Sequence, residues 1–202
     1  MTTLDSVNLN NQPSFNVGML GSVSDGKSTC VLSTTGVKTQ RHSKEQTRNI
    51  TIKPGYANMK IWSDGSLLYS SGSKEKNFEV DGVECELVNH LSFVDCPGHH
   101  ELILTMLGSV RLMDAGVVVV SAAEPIDKKP QLIQHLAAIK IAGITKVIVC
   151  LNKLDLVDIE TAKERYQELI RLLRKFDITP KAIIPTSFNK KIGINWLLEE
   201  IM

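Results

Sequence analysis

From Phe15 onward, short apolar runs alternate with stretches in which apolar residues recur at every third and fourth position. "FNVGML" from Phe15, "LSFVD" from Leu91, "AGVVVVSA" from Ala115, "KVIVCLN" from Lys146 and "KAIIPTS" from Lys181 read as strands. Their apolar residues are consecutive rather than alternating, the pattern of strands covered on both faces. Helical spacing marks residues 28–35, 99–112, 130–142, 158–176 and the last segment, "INWLLEEIM". In the clearest of these, Ala162, Tyr166, Leu169, Leu173 and Phe176 fall on one stripe. Asp158 or Thr161 can cap it, and Glu164 would complete a capping box from Thr161. Strand, helix and strand joined by short loops predict an α/β fold. Its mostly parallel sheet of about six strands has right-handed crossovers, helices on both faces and an antiparallel edge.

Two stretches break this rhythm. Residues 37–54, "VKTQRHSKEQTRNITIKP", are polar and basic, and residues 63–79, "SDGSLLYSSGSKEKNFE", read as an exposed insertion between strands. Residues 1–14 are polar and are expected to form a loose extension ahead of a domain spanning 15–202. They lack the basic start and apolar core of a signal peptide, and the longest apolar run is too short to cross a bilayer. The 202 residues suffice for one domain with its own core, and a net charge of +1 argues against a wholly basic nucleic-acid binder. Charge alone favours a solvated loop for "KTQRHSKEQTR", with contact to RNA as the alternative. Cys30, Cys85, Cys96 and Cys150 are scattered without metal-ligand spacing, so reduced thiols and a cytoplasmic setting are expected.

The candidate chemistry begins where the first strand ends. "GSVSDGKST" matches G-x-x-x-x-G-K-S across Gly21, Gly26, Lys27 and Ser28. The glycines let the backbone curl so that its N–H groups converge on phosphate oxygens, and the following helix adds its positive end. Lys27 can reach the terminal phosphates and the Ser28 hydroxyl can ligate Mg²⁺. A plain strand-to-helix turn is the alternative, but a strand before and a helix after favour a phosphate loop. Asp25 would repel phosphates if it faced them. It should point to solvent, pair with a basic residue or help to hold a cation.

Three more segments converge on a nucleotide. "VDCPG" puts Asp95 at a strand end, where it can support Mg²⁺ through water, and Gly98 three residues on, where its N–H can turn toward a terminal phosphate. "NKLD" follows a later strand. The Asp155 carboxylate can accept from the guanine N1–H and exocyclic amine, whereas adenine would leave it unpaired. Asn152 can add amide contacts, the stem of Lys153 can cover the base, and "PTSF" around Ser187 can close over it. Thr51, in "TRNIT", could bind Mg²⁺ only while a terminal phosphate is present, ordering its loop in one state. It also opens the β-type run "TIKPGYANMKIW" and could be a strand residue.

Taken together, "GSVSDGKST", "RNIT", "DCPGHH" and "NKLD" resemble the G domain of translational GTPases, a P-loop NTPase fold. "RNITIKPGYANMKIW" and "TMLGSVRLMDAGVVVVSAAEP" are most similar to the gamma-subunit family of eukaryotic and archaeal translation initiation factor two. The resemblance runs from about Phe15 to the end. It implies a GTP-hydrolysing switch, slow alone, that carries initiator methionyl-tRNA to the small ribosomal subunit. It also implies alpha and beta subunits as partners, GTPase-activating and exchange factors, and no membrane. In that reading Ser24, Asp25, Gly26, Lys27, Ser28 and Thr29 hold phosphates, with Lys27 acting in catalysis as well. Ser28 and Thr51 ligate Mg²⁺, supported by Asp95. Asn152, Lys153 and Asp155 read guanine, Ser187, Phe188 and Asn189 flank the base, and His99 orients the attacking water.

The sequence departs from that family in several places. Ser22 and Asp25 stand where relatives usually have histidine. Phe188 stands where a small alanine is usual, and would crowd the base or stack near it. The cysteine-rich zinc knuckle of many relatives has no counterpart in 63–79, so no zinc is expected. Members continue into two β-barrel domains that are not expected within this chain. An elongation-type factor delivering another aminoacyl-tRNA, or a docking module with little hydrolysis, are the competing readings.

Overall fold

The computed structural model describes residues 12–39, 54–97 and 108–202. Thr51, Gly98, His99, most of the basic stretch 37–54 and much of the helix expected over 99–112 lie outside them, as do residues 1–11. Strand β1, Phe15–Leu20, leads into helix α1, Lys27–Thr35. Four strands follow: β2 (Gly55–Ser63), β3 (Leu68–Gly72), β4 (Phe78–Val80) and β5 (Val83–Asp95). The chain then alternates through β6 (Ala115–Ser121), α2 (Pro130–Ala142), β7 (Val147–Asn152), α3 (Ile159–Lys175), β8 (Ala182–Pro185) and α4 (Ile194–Ile201).

The main sheet runs β3-β2-β5-β1-β6-β7-β8, with β4 attached to β5. β5, β1, β6, β7 and β8 pair in parallel, and β2, β3 and β4 add the antiparallel side. Among the described residues that makes eight strands, the mostly parallel sheet that was expected with an antiparallel side broader than an edge. The added breadth lies in 63–79, which is exposed or half-buried as expected but folds into β3 and β4. Trp62 stacks on Phe78 with ring centroids 5.8 Å apart, Tyr69 tilts against the same ring, and the Trp62 indole N–H donates to the Ser71 hydroxyl at 2.7 Å. This aromatic cluster gives the short, Ser-rich β3 and β4 a surface to fold against. Their polar composition had masked the strand signal, because isolated aromatics supply the packing instead of an apolar run. β5 likewise starts eight residues before Leu91, over a half-exposed segment, "VECELVNH".

Successive residues of the central strands feed opposite cores. Val118 and Val120 join Leu132 and Leu136 of α2 and Leu169 and Leu173 of α3 on one face. Val117 and Val119 join Cys30 and Val31 of α1 and Leu197 and Leu198 of α4 on the other. The unbroken "VVVV" is thus two interleaved faces, each burying its own half. Asp158 caps α3 by accepting the Thr161 N–H at 2.7 Å, and Lys129 precedes α2, whose first residue is Pro130. Burial pushes the Cys96 and Cys150 thiols up to about 12, consistent with inert core thiols. Among the described residues no helix is long and apolar enough to cross a membrane.

Candidate functional site

β1 is flanked by β5 on one side and β6 on the other, so the chain leaves it in opposite directions. At such a switch point a crevice opens beyond the carboxyl ends of the strands. The Gly21–Gly26 turn occupies that position. Gly21 has φ +133°, and a Cβ there would sit 2.1 Å from the Val119 carbonyl oxygen. Gly26 has φ +107°, and its Cβ would sit 2.3 Å from Asn152 Nδ2. Both the left-handed backbone and the close approach require glycine. Ser24, exposed at the loop's apex, also adopts positive φ, at 64°.

Lys27 is buried, and its ammonium donates to the carbonyls of Gly21 at 3.0 Å and Ser22 at 2.8 Å. Burial draws its pKa below the ordinary lysine value, opposed by the Asp95 and Asp25 carboxylates. Asp25 follows the second of the three expectations and pairs with a basic residue. It is 1% exposed. Its Oδ1 accepts from Lys129 Nζ at 2.5 Å and from the Ser121 N–H at 3.1 Å, and its Oδ2 accepts from the Ser22 N–H at 2.9 Å. The carboxylate is therefore directed into the protein, where it ties the loop to the end of β6 and the start of α2.

Asp95 ends β5 with its side chain fully buried. Its Oδ2 accepts from the Ser28 hydroxyl at 2.7 Å and from the Thr39 hydroxyl at 2.5 Å. A hydroxyl and a carboxylate side by side are hard oxygen donors suited to Mg²⁺. Among the described residues no group of three His, Cys, Asp or Glu gathers as a metal site. The Ser28 and Asp95 oxygens fit an ion that draws its remaining ligands from phosphates and water.

Asn152, at the tip of β7, links two loops. Its Nδ2 donates to the Asp25 carbonyl at 2.9 Å, and its Oδ1 accepts from the Phe188 N–H at 3.1 Å. Lys153 has φ +63°. Asp155 lies in the short turn Leu154–Leu156 and accepts from the Ser187 hydroxyl at 2.6 Å, with Lys190 Nζ at 3.9 Å. The Ser187 hydrogen bond holds the Asp155 carboxyl below the usual range, so it is ionised at neutral pH. The Phe188 ring is 2% exposed and packs into the core on the α1 and α4 face. Phe188 turns its backbone to Asn152, and Asn189 beside it is exposed.

The structure thus brings Ser24 through Thr29, Asp95, Asn152, Lys153, Asp155 and Ser187 through Asn189 to the carboxyl ends of the parallel strands. Sequence reasoning missed three residues here. Thr39 sits in a stretch read as solvated, yet it is 4% exposed. Lys129 carries no signature beyond preceding Pro130. His135 is 2% exposed, and its Nδ1 accepts the Gly21 N–H at 2.8 Å. It falls between Leu132, Leu136 and Ile139 on the buried stripe of α2, and a polar residue on an apolar stripe is the signal that would have found it. Burial first, then the Lys27 charge, push its pKa down to about 3, so it is a neutral acceptor.

The sequence model of the elongation factor Tu GTP binding domain matches residues 12–202, and the chain belongs to that family. Among curated relatives it is 36% identical over its whole length to eukaryotic translation initiation factor 2 subunit 3 of Drosophila melanogaster. It is 40% identical, over 94% of its length, to translation initiation factor 2 subunit gamma of Aeropyrum pernix. The chain spans 45% and 46% of those two proteins, a little under half. Among solved structures, a bacterial selenocysteine-specific elongation factor superposes with a TM-score of 0.74 at 27% identity, over 94% of this chain and 28% of that one.

Proposed function

We propose that this chain is the guanine-nucleotide switch of a translation initiation factor of the gamma-subunit type. The observation that carries the reading is the clustering at the carboxyl ends of the parallel strands of a glycine-bounded loop with its lysine, a Ser28–Asp95 oxygen pair, and Asp155 aligned by Ser187. In this reading the N–H groups of 24–29 cradle the phosphates. Lys27 exchanges its two carbonyl partners for phosphate oxygens. Ser28 and Thr51 would hold Mg²⁺ with Asp95 behind them, and the ion would neutralise charge on the phosphates. Asp155 reads guanine, Asn152 fixes the two loops around it, and Ser187 and Asn189 border the base.

Hydrolysis would proceed by in-line attack of water on the terminal phosphorus. The bond to the bridging oxygen breaks, yielding GDP and phosphate, with His99 orienting the water. Delivery of initiator methionyl-tRNA to the small ribosomal subunit, with alpha and beta subunits and with activating and exchange factors, is supported by the identities of 36–40% to initiation factor 2 gamma subunits. The likeness to a selenocysteine-specific elongation factor favours a second reading, an elongation-type factor for another aminoacyl-tRNA, at lower identity. Titration of the chain with GDP, GTP and ATP tests the nucleotide assignment. Binding of both guanine nucleotides with no competition from ATP is expected, and equal competition by ATP would overturn it.

A further inference from the structure

We propose that Lys129 is the counter-ion that makes a carboxylate tolerable in the phosphate loop, and that the Asp25–Lys129 pair sets the site's affinity for a nucleoside triphosphate relative to a diphosphate. The proposal rests on the phosphate-loop reading above. The two side chains are 2% and 5% exposed, with 2.5 Å between Lys129 Nζ and Asp25 Oδ1. A buried charge is retained where it is paired and hydrogen-bonded, and all three donors to Asp25 meet that condition. Glu124 also approaches Lys129, at 3.9 Å, but its side chain is 75% exposed and screened by water.

Asp25 stands between Ser24 and Gly26, inside the backbone that would cradle the anion. Seen from that anion, a buried carboxylate and ammonium in contact nearly cancel. Removing either one leaves a full unit charge behind the loop, in a region where Coulomb effects reach further than in water. Without Lys129 the charge is negative and opposes a ligand more strongly the more phosphate charge it bears. Without Asp25 the charge is positive and does the reverse. Lys129 is thus a positioning and charge-balancing residue that acts through Asp25.

The test is the affinity for GTP relative to GDP, measured by titration at constant magnesium on the whole chain. Lys129→Met should lower that ratio about fivefold or more, and Asp25→Asn should raise it by a similar factor. The double variant should return it to the wild-type value. Opposite signs in the two single variants separate a charge effect from loss of a structural contact. A structural contact would lower binding of both nucleotides together in both variants, and that result would overturn the proposal. Should neither single variant fold, the double variant and Lys129→Arg decide. Both should keep the wild-type ratio, and a change of more than about threefold in either contradicts the proposal. Wild type that binds neither nucleotide would instead refute the phosphate-loop reading itself.

Discussion

His135 makes the folding of this domain sensitive to mild acid. Its Nδ1 accepts the Gly21 N–H at 2.8 Å at the first bend of the loop, it is 2% exposed, and Lys27 lies near enough to disfavour a second positive charge. Its pKa falls from 6.5 to about 3 on folding. Between those values the unfolded chain binds a proton that the folded chain refuses. The stabilisation is therefore complete above the unfolded pKa and is lost as pH falls toward the folded one. The loss between about pH 7.5 and about pH 5 is about 2 kcal/mol. For a domain of this size that corresponds to a drop in Tm of about 4–8 °C. Other acidic groups add slopes of their own, so the measurement is a difference. His135→Gln keeps an oxygen able to accept the Gly21 N–H but cannot titrate. In denaturant unfolding of wild type and His135→Gln across this pH range, the wild type should lose about 2 kcal/mol relative to the variant toward acid. Parallel curves would show that His135 is protonated in the folded chain or does not hold Gly21, and the reasoning would fail.

Gly26→Ala would place a methyl 2.3 Å from Asn152 Nδ2 on a left-handed backbone. It should cost about 1–3 kcal/mol in denaturant unfolding and weaken GDP binding as Asn152 is displaced. Phe188→Ala empties a buried ring from the core under the base loop. A loss of about 3–5 kcal/mol is expected, where a ring that only flanked the base would cost almost no stability. For His99→Ala, phosphate release in single-turnover assays should slow about a hundredfold or more, with GDP affinity unchanged. Equal release rates would remove His99 from the reaction.

Much of this was legible in the chain because the responsible forces are local. The run "AGVVVVSA" could only be a strand with both faces covered, and Val117 through Val120 divide between the two cores. The spacing from Gly21 to Ser28 is a backbone requirement, and the angles at Gly21 and Gly26 meet it. What escaped was long-range. Asp25 and Lys129 are 104 residues apart and Gly21 and His135 are 114 apart, so neither pair leaves a periodic trace. β3 and β4 were hidden for a related reason. Their stability comes from Trp62, Tyr69 and Phe78 meeting across strands rather than from an apolar pattern within one. The burial of Phe188 was not legible because its neighbours in sequence are polar, whereas in space it belongs to the core cluster shared by α1 and α4.

Asp155, ionised and aligned by Ser187, is the group proposed to select the base. Asp155→Asn exchanges an acceptor for a donor at that point, and xanthine presents an acceptor where guanine presents an amine. Titration of wild type and Asp155→Asn with GDP and xanthosine diphosphate is the direct measurement. The preference is expected to invert, with GDP affinity falling by about a hundredfold or more and xanthosine diphosphate gaining in turn. A variant that still prefers GDP as strongly as wild type does would contradict it.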